Sequence, residues 1–290
     1  MGTEPLLLNR SFIGKEYRSR PQKANAEAMM QYARATNETN PRYYEPESPG
    51  ELISPPLYPV VFLPELLSQL RDDSEDLNLD ILRVVHAEQE MWWKGRIRPG
   101  DEIVSTAKIA NIEKRGANDL LDMHIQCRCR DDALVEMRYR LIMRGKKRAE
   151  KKGAKGPNQT PTPGEKLAER TILVSHDQSK RYAEASGDHN PIHLSAEVAQ
   201  SVGLPSTILH GLCTMAFASQ TIVDELLGGD STRLRYMKVR FAKPVLMGEA
   251  LTTEVYDAGI QEDEWRVVHF ETKNPSNDPV LTKGVAKFTD

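Results

Sequence analysis

The most densely polar stretch of the chain is SGDHNPIH, residues 186–193. A helix can end there and the chain can then turn tightly at Asn190-Pro191. This turn would bring Asp188 towards His193, five positions along the chain. A carboxylate beside an imidazole can hold a water molecule and exchange protons near neutral pH. The same spacing also fits a turn-capping aspartate with a histidine satisfied by the core, and spacing alone favours that alternative.

A second candidate feature is ILHGL, residues 208–212, which precedes a long apolar run. A glycine at the amino end of a helix leaves its backbone N–H open to a ligand, and the helix dipole adds partial positive charge there. The N–H of Gly211 could therefore stabilise the oxyanion that develops on a thioester carbonyl. It is equally possible that Gly211 only allows the helix to pack closely against a sheet, so both interpretations stay open.

The elements that must position these residues occur twice. Sliding the chain by 150 positions aligns YARATNETNPRYY, from Tyr32, with YAEASGDHNPIHL, from Tyr182, with five identities in thirteen positions. Each copy predicts a short helix, a proline-containing loop, a longer apolar helix and then a series of β-branched, alternating strands. The short helices are expected over about 24–36 and 177–186, and the long helix of the second copy from Gly211 to the Gly228-Gly229 stop. An antiparallel sheet around one buried helix fits both copies, so the predicted fold class is α+β.

A basic segment divides the two copies. RGKKRAEKKGAK, from Arg144, holds seven basic residues and one acidic residue, and a stretch rich in Pro, Gly and Thr follows it. Such a composition cannot bury enough apolar surface to offset its ordering entropy. We therefore expect an N-terminal domain over 1–143, a linker over 144–170 and a C-terminal domain over 171–290. A nucleic-acid or lipid patch is the disfavoured alternative, because no aromatic residues interleave the basic ones.

Composition excludes several classes of protein. The 39 basic and 42 acidic side chains give a net charge of −3, without the basic excess typical of nucleic-acid-binding proteins. The most apolar window, 57–67, is broken by Pro59 and Pro64, so no membrane span is predicted, and neither a signal peptide nor a peroxisomal ending is present. The three cysteines cannot form a disulfide framework. We therefore expect a cytoplasmic protein with reduced thiols and no nucleic-acid or membrane partner.

Residues 182–219, YAEASGDHNPIHLSAEVAQSVGLPSTILHGLCTMAFAS, closely resemble the hydratase motif of MaoC-like, (R)-specific enoyl-CoA hydratases. That family has the hot-dog fold, a curved antiparallel sheet wrapped around a long helix. Together with the repeat, the resemblance implies a double hot-dog protein. It further implies reversible addition of water to a trans-2-enoyl thioester of CoA or acyl carrier protein, with no metal and no other cofactor, in a homodimer.

The resemblance also implies roles for single residues. Asp188 and His193 would activate the water, and Asp188 would return a proton to the α-carbon. The remaining residues would bind the substrate or the oxyanion, or hold the loop: Gly211, Asn190, Ser219 and His210. Two further hydratase interpretations stay open, a branched or dicarboxylic (mesaconyl-type) enoyl-CoA and a 3-hydroxyacyl carrier-protein dehydratase. The alternative outside hydration is a hot-dog thioesterase or an acyl-binding protein.

The first copy departs from this pattern at the decisive positions. Glu38 stands opposite Asp188, Tyr43 stands opposite His193, and no His-Gly pair precedes the predicted helix. A tyrosine with a pKa of about 10 cannot act as a general base near neutral pH. We therefore predict one active site per chain and a non-catalytic first copy that shapes the acyl pocket. His86 is interpreted as structural.

Overall fold

The computed structural model describes residues 8–45, 52–145, 164–262 and 265–289. Most of the predicted linker, 146–163, lies outside the described residues. The linker limit expected at residue 170 falls inside a strand that already begins at Lys166. In the part of the chain that is described, no helix is long and apolar enough to cross a membrane.

The secondary structure follows the predicted order. The helices are α1 Ala26–Ala35, α2 Pro64–Asp72, α3 Ser74–Leu77, α4 Gln178–Ser186, α5 Ala196–Ser201 and α6 Gly211–Leu226. The strands of the first copy are β1 Glu16–Arg18, β2 Gln22–Lys23, β3 Val84–Trp93, β4 Glu102–Arg115, β5 Asn118–Cys129 and β6 Asp132–Met143. Those of the second are β7 Lys166–Leu173, β8 Leu234–Phe241, β9 Ala250–Glu262, β10 Trp265–Lys273 and β11 Pro279–Thr289.

All eleven strands form one antiparallel sheet with near two-fold symmetry. The order is β1-β4-β5-β6-β3-β8-β11-β10-β9-β7, with β2 paired to β4. The strand order of the first copy thus mirrors that of the second. The two half-sheets join where β3 pairs with β8, and Met91 faces Met237 near the middle of this junction. The predicted duplication and the α+β double hot-dog architecture are both confirmed.

The pseudo-two-fold relation is visible in single side chains. Tyr32 on α1 and Tyr182 on α4, which the offset of 150 aligns, are both buried, and their hydroxyl oxygens lie 3.4 Å apart. Helices α1 and α4 therefore pack together along the axis that relates the copies. The repeat read from the sequence is also the symmetry of the core.

Helix α6 runs through the core as predicted. It begins at Gly211, residues 213–223 are all buried, and Gly228 and Gly229 follow its end with φ of 60° and 79°. These left-handed conformations, which glycine adopts without strain, stop the helix.

The prediction that the first copy has an apolar helix longer than its first helix is wrong, since α2 has nine residues and α1 has ten. In its place, a 3-10 turn over Tyr58–Phe62 precedes the nine-residue α2. Pro59 and Pro64 each lack a backbone N–H, so prolines are placed at the beginning of helical turns and prevent one continuous helix across this region. Within the described residues, α6 is therefore the one long helix, and it packs against β7, β8 and β9 of the second copy.

Candidate active site

The loop after α4 has the predicted helix end and tight turn. Gly187 ends the helix with φ of 75°, and a 3-10 turn over Pro191–His193 follows. The Asn190 side-chain oxygen accepts a hydrogen bond from the Ile192 N–H at 3.3 Å. The Asn190 N–H in turn donates to the Asp188 carboxylate at 3.2 Å. Asn190 thus holds the loop and orients Asp188, as the resemblance implied.

The loop brings Asp188 and His193 together. His210, the residue just before α6, lies beside them. One side-chain oxygen or nitrogen of each residue lies within 4.8 Å of the others. The Nδ1 atom of His193 lies 2.8 Å from the Ile208 carbonyl oxygen, which can only accept. Nδ1 must therefore carry the proton, and Nε2 keeps a lone pair. Burial lowers the pKa of His193 in spite of nearby Asp188, so the ring is a neutral base.

His210 contacts both Asp188 and His193. Its ring stacks on His193, with centroids 3.8 Å apart, and its Nε2 donates to the backbone oxygen of Asp188 at 2.9 Å. Its Nδ1 is buried and has no hydrogen-bond partner among the described residues. Burial and the neighbouring His193 lower the pKa of His210, so it is neutral as well. His210 therefore fixes the position of both Asp188 and His193.

Asp188, His193 and His210 are residue types that can also coordinate a metal ion. However, the rings of His193 and His210 are stacked at an interplanar angle of 27°. Imidazole binds a metal in the plane of its ring, so two nearly parallel rings at this separation are poorly arranged to share one ion. The geometry is more suitable for a water molecule between the Asp188 carboxylate and His193 Nε2 than for a metal ion. The absence of a metal from the reaction stays a prediction.

Gly211, the predicted oxyanion donor, is the first residue of α6. The first N–H groups of a helix have no partner within the helix. No described residue accepts a hydrogen bond from the Gly211 N–H. A Cβ atom at this position would lie 3.0 Å from the ring of Phe241, so only glycine fits without a shift of that ring. The N–H is therefore available, at the positive end of the longest helix described.

A cavity of about 510 Å³ opens beside Asp188. The second copy contributes the catalytic loop, Tyr182 and Leu212. The first copy contributes a largely apolar wall from the region around α2 and from two strands, lined by Val60, Leu63, Pro64, Leu67, Leu70, Leu79, Ile81, Val84 and Leu141. The first copy thus forms most of the apolar wall of this cavity, and its role in shaping an acyl pocket stays a prediction.

His86 also lines this cavity, which its interpretation as a structural residue did not anticipate. A β-bulge between His86 and Glu88 interrupts the alternation of β3, so His86 turns inward with Gln89 rather than outward with Glu88. Its ring stacks on Tyr139, with centroids 4.5 Å apart, and burial lowers the pKa of His86 to about 4. No residue pattern in β3 indicates a bulge, so the sequence carried no signal for this position.

Of the predicted site residues, Asp188 and Asn190 line the cavity, whereas His193, His210, Gly211 and Ser219 do not. Ser219 is fully buried on α6, and its hydroxyl has no hydrogen-bond partner among the described residues. Its role near Asp188 stays a prediction.

The equivalent loop of the first copy packs against the opposite end of α6. The Asn40 side chain donates to the Gly229 backbone oxygen at 2.7 Å, just beyond the end of the helix. Tyr43 is buried with 1% exposure, in the position that His193 takes in the second copy. Burial, and then Asp224, raises the pKa of Glu38 well above its ordinary value. This loop therefore has a neutral, buried acid at the negative end of the helix dipole, where an oxyanion is disfavoured.

Two family models match the chain. The MaoC-like domain matches residues 158–278, and the dehydratase domain region of the FAS1-like type matches residues 11–136. Each match covers one of the two copies. The second therefore indicates a dehydratase-type origin for the copy that lacks the motif.

Similar proteins agree with this assignment. A probable enoyl-CoA hydratase 2 of Dictyostelium discoideum is 28% identical over 245 residues, which cover 80% of this chain and 79% of that protein. The peroxisomal multifunctional enzyme type 2 of Mus musculus is 28% identical over 213 residues, but the match spans only 28% of that longer protein. The crystal structure of a MaoC-like dehydratase from Phytophthora capsici superposes with a TM-score of 0.80 at 22% identity, over 98% of both chains. Residues 158–278 therefore match a MaoC-like domain, residues 11–136 match a FAS1-like dehydratase region, and the whole chain has the double hot-dog fold.

Proposed function

We infer that the protein is a hydro-lyase, an enoyl-CoA hydratase that reversibly adds water to a trans-2-enoyl thioester and forms the (R)-3-hydroxyacyl product. The observation that carries this proposal is the position of the Asp188 carboxylate and the His193 ring, within 4.8 Å of each other beside a largely apolar cavity. The named enoyl-CoA hydratases and 3-hydroxyacyl thioester dehydratases among similar proteins support the reaction class.

Each of these residues is assigned one step of the proposed hydration reaction. A water molecule held between Asp188 and the Nε2 lone pair of His193 loses a proton to this pair as its oxygen bonds to C3 of the substrate. The electron pair of the double bond moves towards the thioester, and the Gly211 N–H donates to the carbonyl oxygen as negative charge develops there. A proton then returns from Asp188 to C2, on the face from which water was added. The donor at the helix end contributes on the order of 10²–10³ in rate, and the acid–base pair about 10²–10⁴.

The first copy is proposed to be non-catalytic. Its loop has Tyr43 buried where a base would be needed, and it packs at the carboxyl end of α6. One helix has one positive end, so the arrangement supports a single oxyanion site per chain.

The proposal is tested by incubating the purified protein with trans-2-enoyl-CoAs of several chain lengths and following loss of the conjugated double bond. We expect hydration, with the (R)-3-hydroxyacyl-CoA as product. An (S) product would contradict the proposed stereochemistry. Release of free CoA from a saturated acyl-CoA, without hydration, would instead indicate a thioesterase. The same assay with acyl carrier protein thioesters distinguishes the two carriers.

Two further properties are proposals as well. The cysteines Cys127, Cys129 and Cys213 are free thiols, which supports a reducing compartment such as the cytoplasm. A homodimer is proposed from the family resemblance alone, and sedimentation of the purified protein would test it.

The activity is expected to persist further into acid than an ordinary histidine would allow. Because burial lowers the pKa of His193 below 6.5, its neutral form is present at pH 6.5 and is lost only as the pH falls through that lower value. We expect the acid limb of the kcat/KM profile to have its midpoint below pH 6.5. The check is a pH–rate profile with circular dichroism at each pH, since protonation of a buried histidine also destabilises the fold. A midpoint at or above 6.5 would contradict this prediction.

Replacing Gly211 by alanine is expected to lower kcat by about 10-fold to 100-fold, less than the roughly 10²–10³-fold for complete loss of an oxyanion donor, because the N–H is displaced and not removed. The new Cβ would lie 3.0 Å from the Phe241 ring, so the start of α6 or the ring must shift and the N–H loses its alignment. Steady-state kinetics of Gly211→Ala and of the double variant Gly211→Ala/Phe241→Leu check this. Partial recovery in the double variant is expected, because leucine removes the ring. Unchanged kcat in Gly211→Ala would argue against the role of this N–H.

A further inference from the structure

The cavity contains one feature that the hydration reaction itself does not use. Arg71, near the end of α2, is the only arginine or lysine among the described residues that line it, and the wall beside it is apolar. Its guanidinium forms no ion pair or side-chain hydrogen bond with any described residue. An acyl chain made only of methylene groups would form no favourable interaction with a cation at this position.

The position of Arg71 relative to the reacting carbons follows from helix geometry. Pro64, the first residue of α2, touches the catalytic loop, because a Cβ on Gly187 would lie 2.9 Å from its ring. Arg71 lies seven residues further on, and a helix rises about 1.5 Å per residue, so it is about 10 Å along the axis from the loop. An extended hydrocarbon chain advances about 1.3 Å per carbon, given bonds of about 1.5 Å. Arg71 is therefore about eight carbons beyond the loop.

Between these two ends the wall is apolar. Leu67 and Leu70 of α2 line it, together with Leu63 just before α2 and Ile81 beyond α3. Ile81 is 39% exposed and Arg71 is exposed too, so the far end of the cavity opens to solvent. A charged group placed there can stay partly hydrated, which avoids the penalty of burying an ion. Asp188 is the only acidic residue that lines the cavity, and it lies at the other end.

We propose that Arg71 is a specificity-determining residue that receives the terminal carboxylate of an ω-carboxyacyl thioester. This inference rests on the proposed function and extends it, since it assigns medium-length dicarboxylic enoyl thioesters as a substrate class. The thioester lies at Gly211, the double bond lies beside Asp188, the methylene chain follows α2, and the distal carboxylate pairs with the guanidinium of Arg71. Arginine suits this task because its planar fork can donate two parallel hydrogen bonds to a carboxylate.

The test compares two substrates of equal carbon number, trans-2-decenoyl-CoA and trans-2-decenedioyl-CoA, with the wild type, Arg71→Leu and Arg71→Glu. An exposed ion pair contributes up to about 1 kcal/mol, which is about fivefold in kcat/KM. We expect Arg71→Leu to lower kcat/KM for the diacid about fivefold and Arg71→Glu to lower it further. The ratio of kcat/KM for the diacid to kcat/KM for the monoacid should therefore fall in both variants. The five-carbon trans-2-pentenedioyl-CoA is too short to reach Arg71 and should not respond to either variant.

Arg20→Leu is the matched control. Arg20 pairs with Glu65 on α2, its side chain is 88% exposed, and it does not line the cavity. The control should leave both substrates unaffected. Equal losses for monoacid and diacid in the Arg71 variants would place Arg71 on the CoA portion and overturn the proposal, as would no change for either. If the wild type hydrates neither substrate, the proposed function itself fails, which is a different result.

Discussion

Replacing Asp188 by asparagine is expected to lower kcat/KM for enoyl-CoA hydration on the order of 10³–10⁴-fold, near the upper range for loss of a positioned acid–base group. The amide has nearly the same shape, and its oxygen can still accept the hydrogen bond that the Asn190 N–H donates to Asp188. It can neither take a proton from water nor return one to C2. The loop should therefore keep its fold while the proton transfer is lost. Steady-state kinetics and circular dichroism of Asp188→Asn provide the measurement.

The chain contains a matched control for this substitution. Glu38 is the residue that the offset of 150 places opposite Asp188, and its raised pKa favours the neutral acid. Glu38→Gln exchanges one neutral, buried group for another of similar shape. We expect the activity of this variant to stay within about twofold of the wild type. Comparable losses in both variants would contradict a single catalytic copy, and full activity of Asp188→Asn would refute the assignment of Asp188.

Replacing His193 by glutamine is expected to lower kcat on the order of 10²–10⁴-fold with a smaller effect on KM, because the lost lone pair acts on the water and not on the acyl chain. The glutamine amide can still donate to the Ile208 carbonyl oxygen, which His193 Nδ1 contacts at 2.8 Å. It offers no basic nitrogen to the water. Separate determination of kcat and KM checks this expectation.

His124→Gln controls for the general effect of removing a histidine. His124 is exposed on β5 and does not line the cavity. This variant should behave as the wild type does. A loss in His193→Gln that appears only in KM, or that disappears when thermal stability is matched, would show that His193 has a structural rather than a catalytic role.

Much of the fold could be predicted because strands, helix ends and the repeat are each marked by residues that are close together in the sequence. The strands of both copies alternate between buried and exposed residues, which is the period of two that a half-buried strand produces. Helix α6 begins at Gly211 and is stopped by Gly228-Gly229, so single glycines in the sequence mark both of its ends. The pairing of Tyr32 with Tyr182 follows from the repeat. In the site, Asp188, Asn190 and His193 are close in sequence, so a local turn is sufficient to bring them together.

The features that could not be predicted depend on contacts between distant segments. His86 faces the cavity because of a bulge, and a bulge depends on how β3 pairs with β6. The stacking of His210 on His193 joins a loop and a helix that are separated by α5. The short edge strands β1 and β2 have only three and two residues, too few for a period to be visible. Pro59 and Pro64 are a sequence signal for the shortness of α2, because neither residue fits the interior of a helix.

The junction between β3 and β8 has an evolutionary consequence. In a protein assembled from two identical subunits, every substitution occurs twice, so a tyrosine at the position of His193 would destroy both catalytic loops at once. Here the two half-sheets belong to one chain, and each copy can change independently. The covalent link also makes assembly of the cavity independent of protein concentration, because its walls are never separated by dilution. One copy could therefore exchange its long helix for a binding wall while the other kept the chemistry.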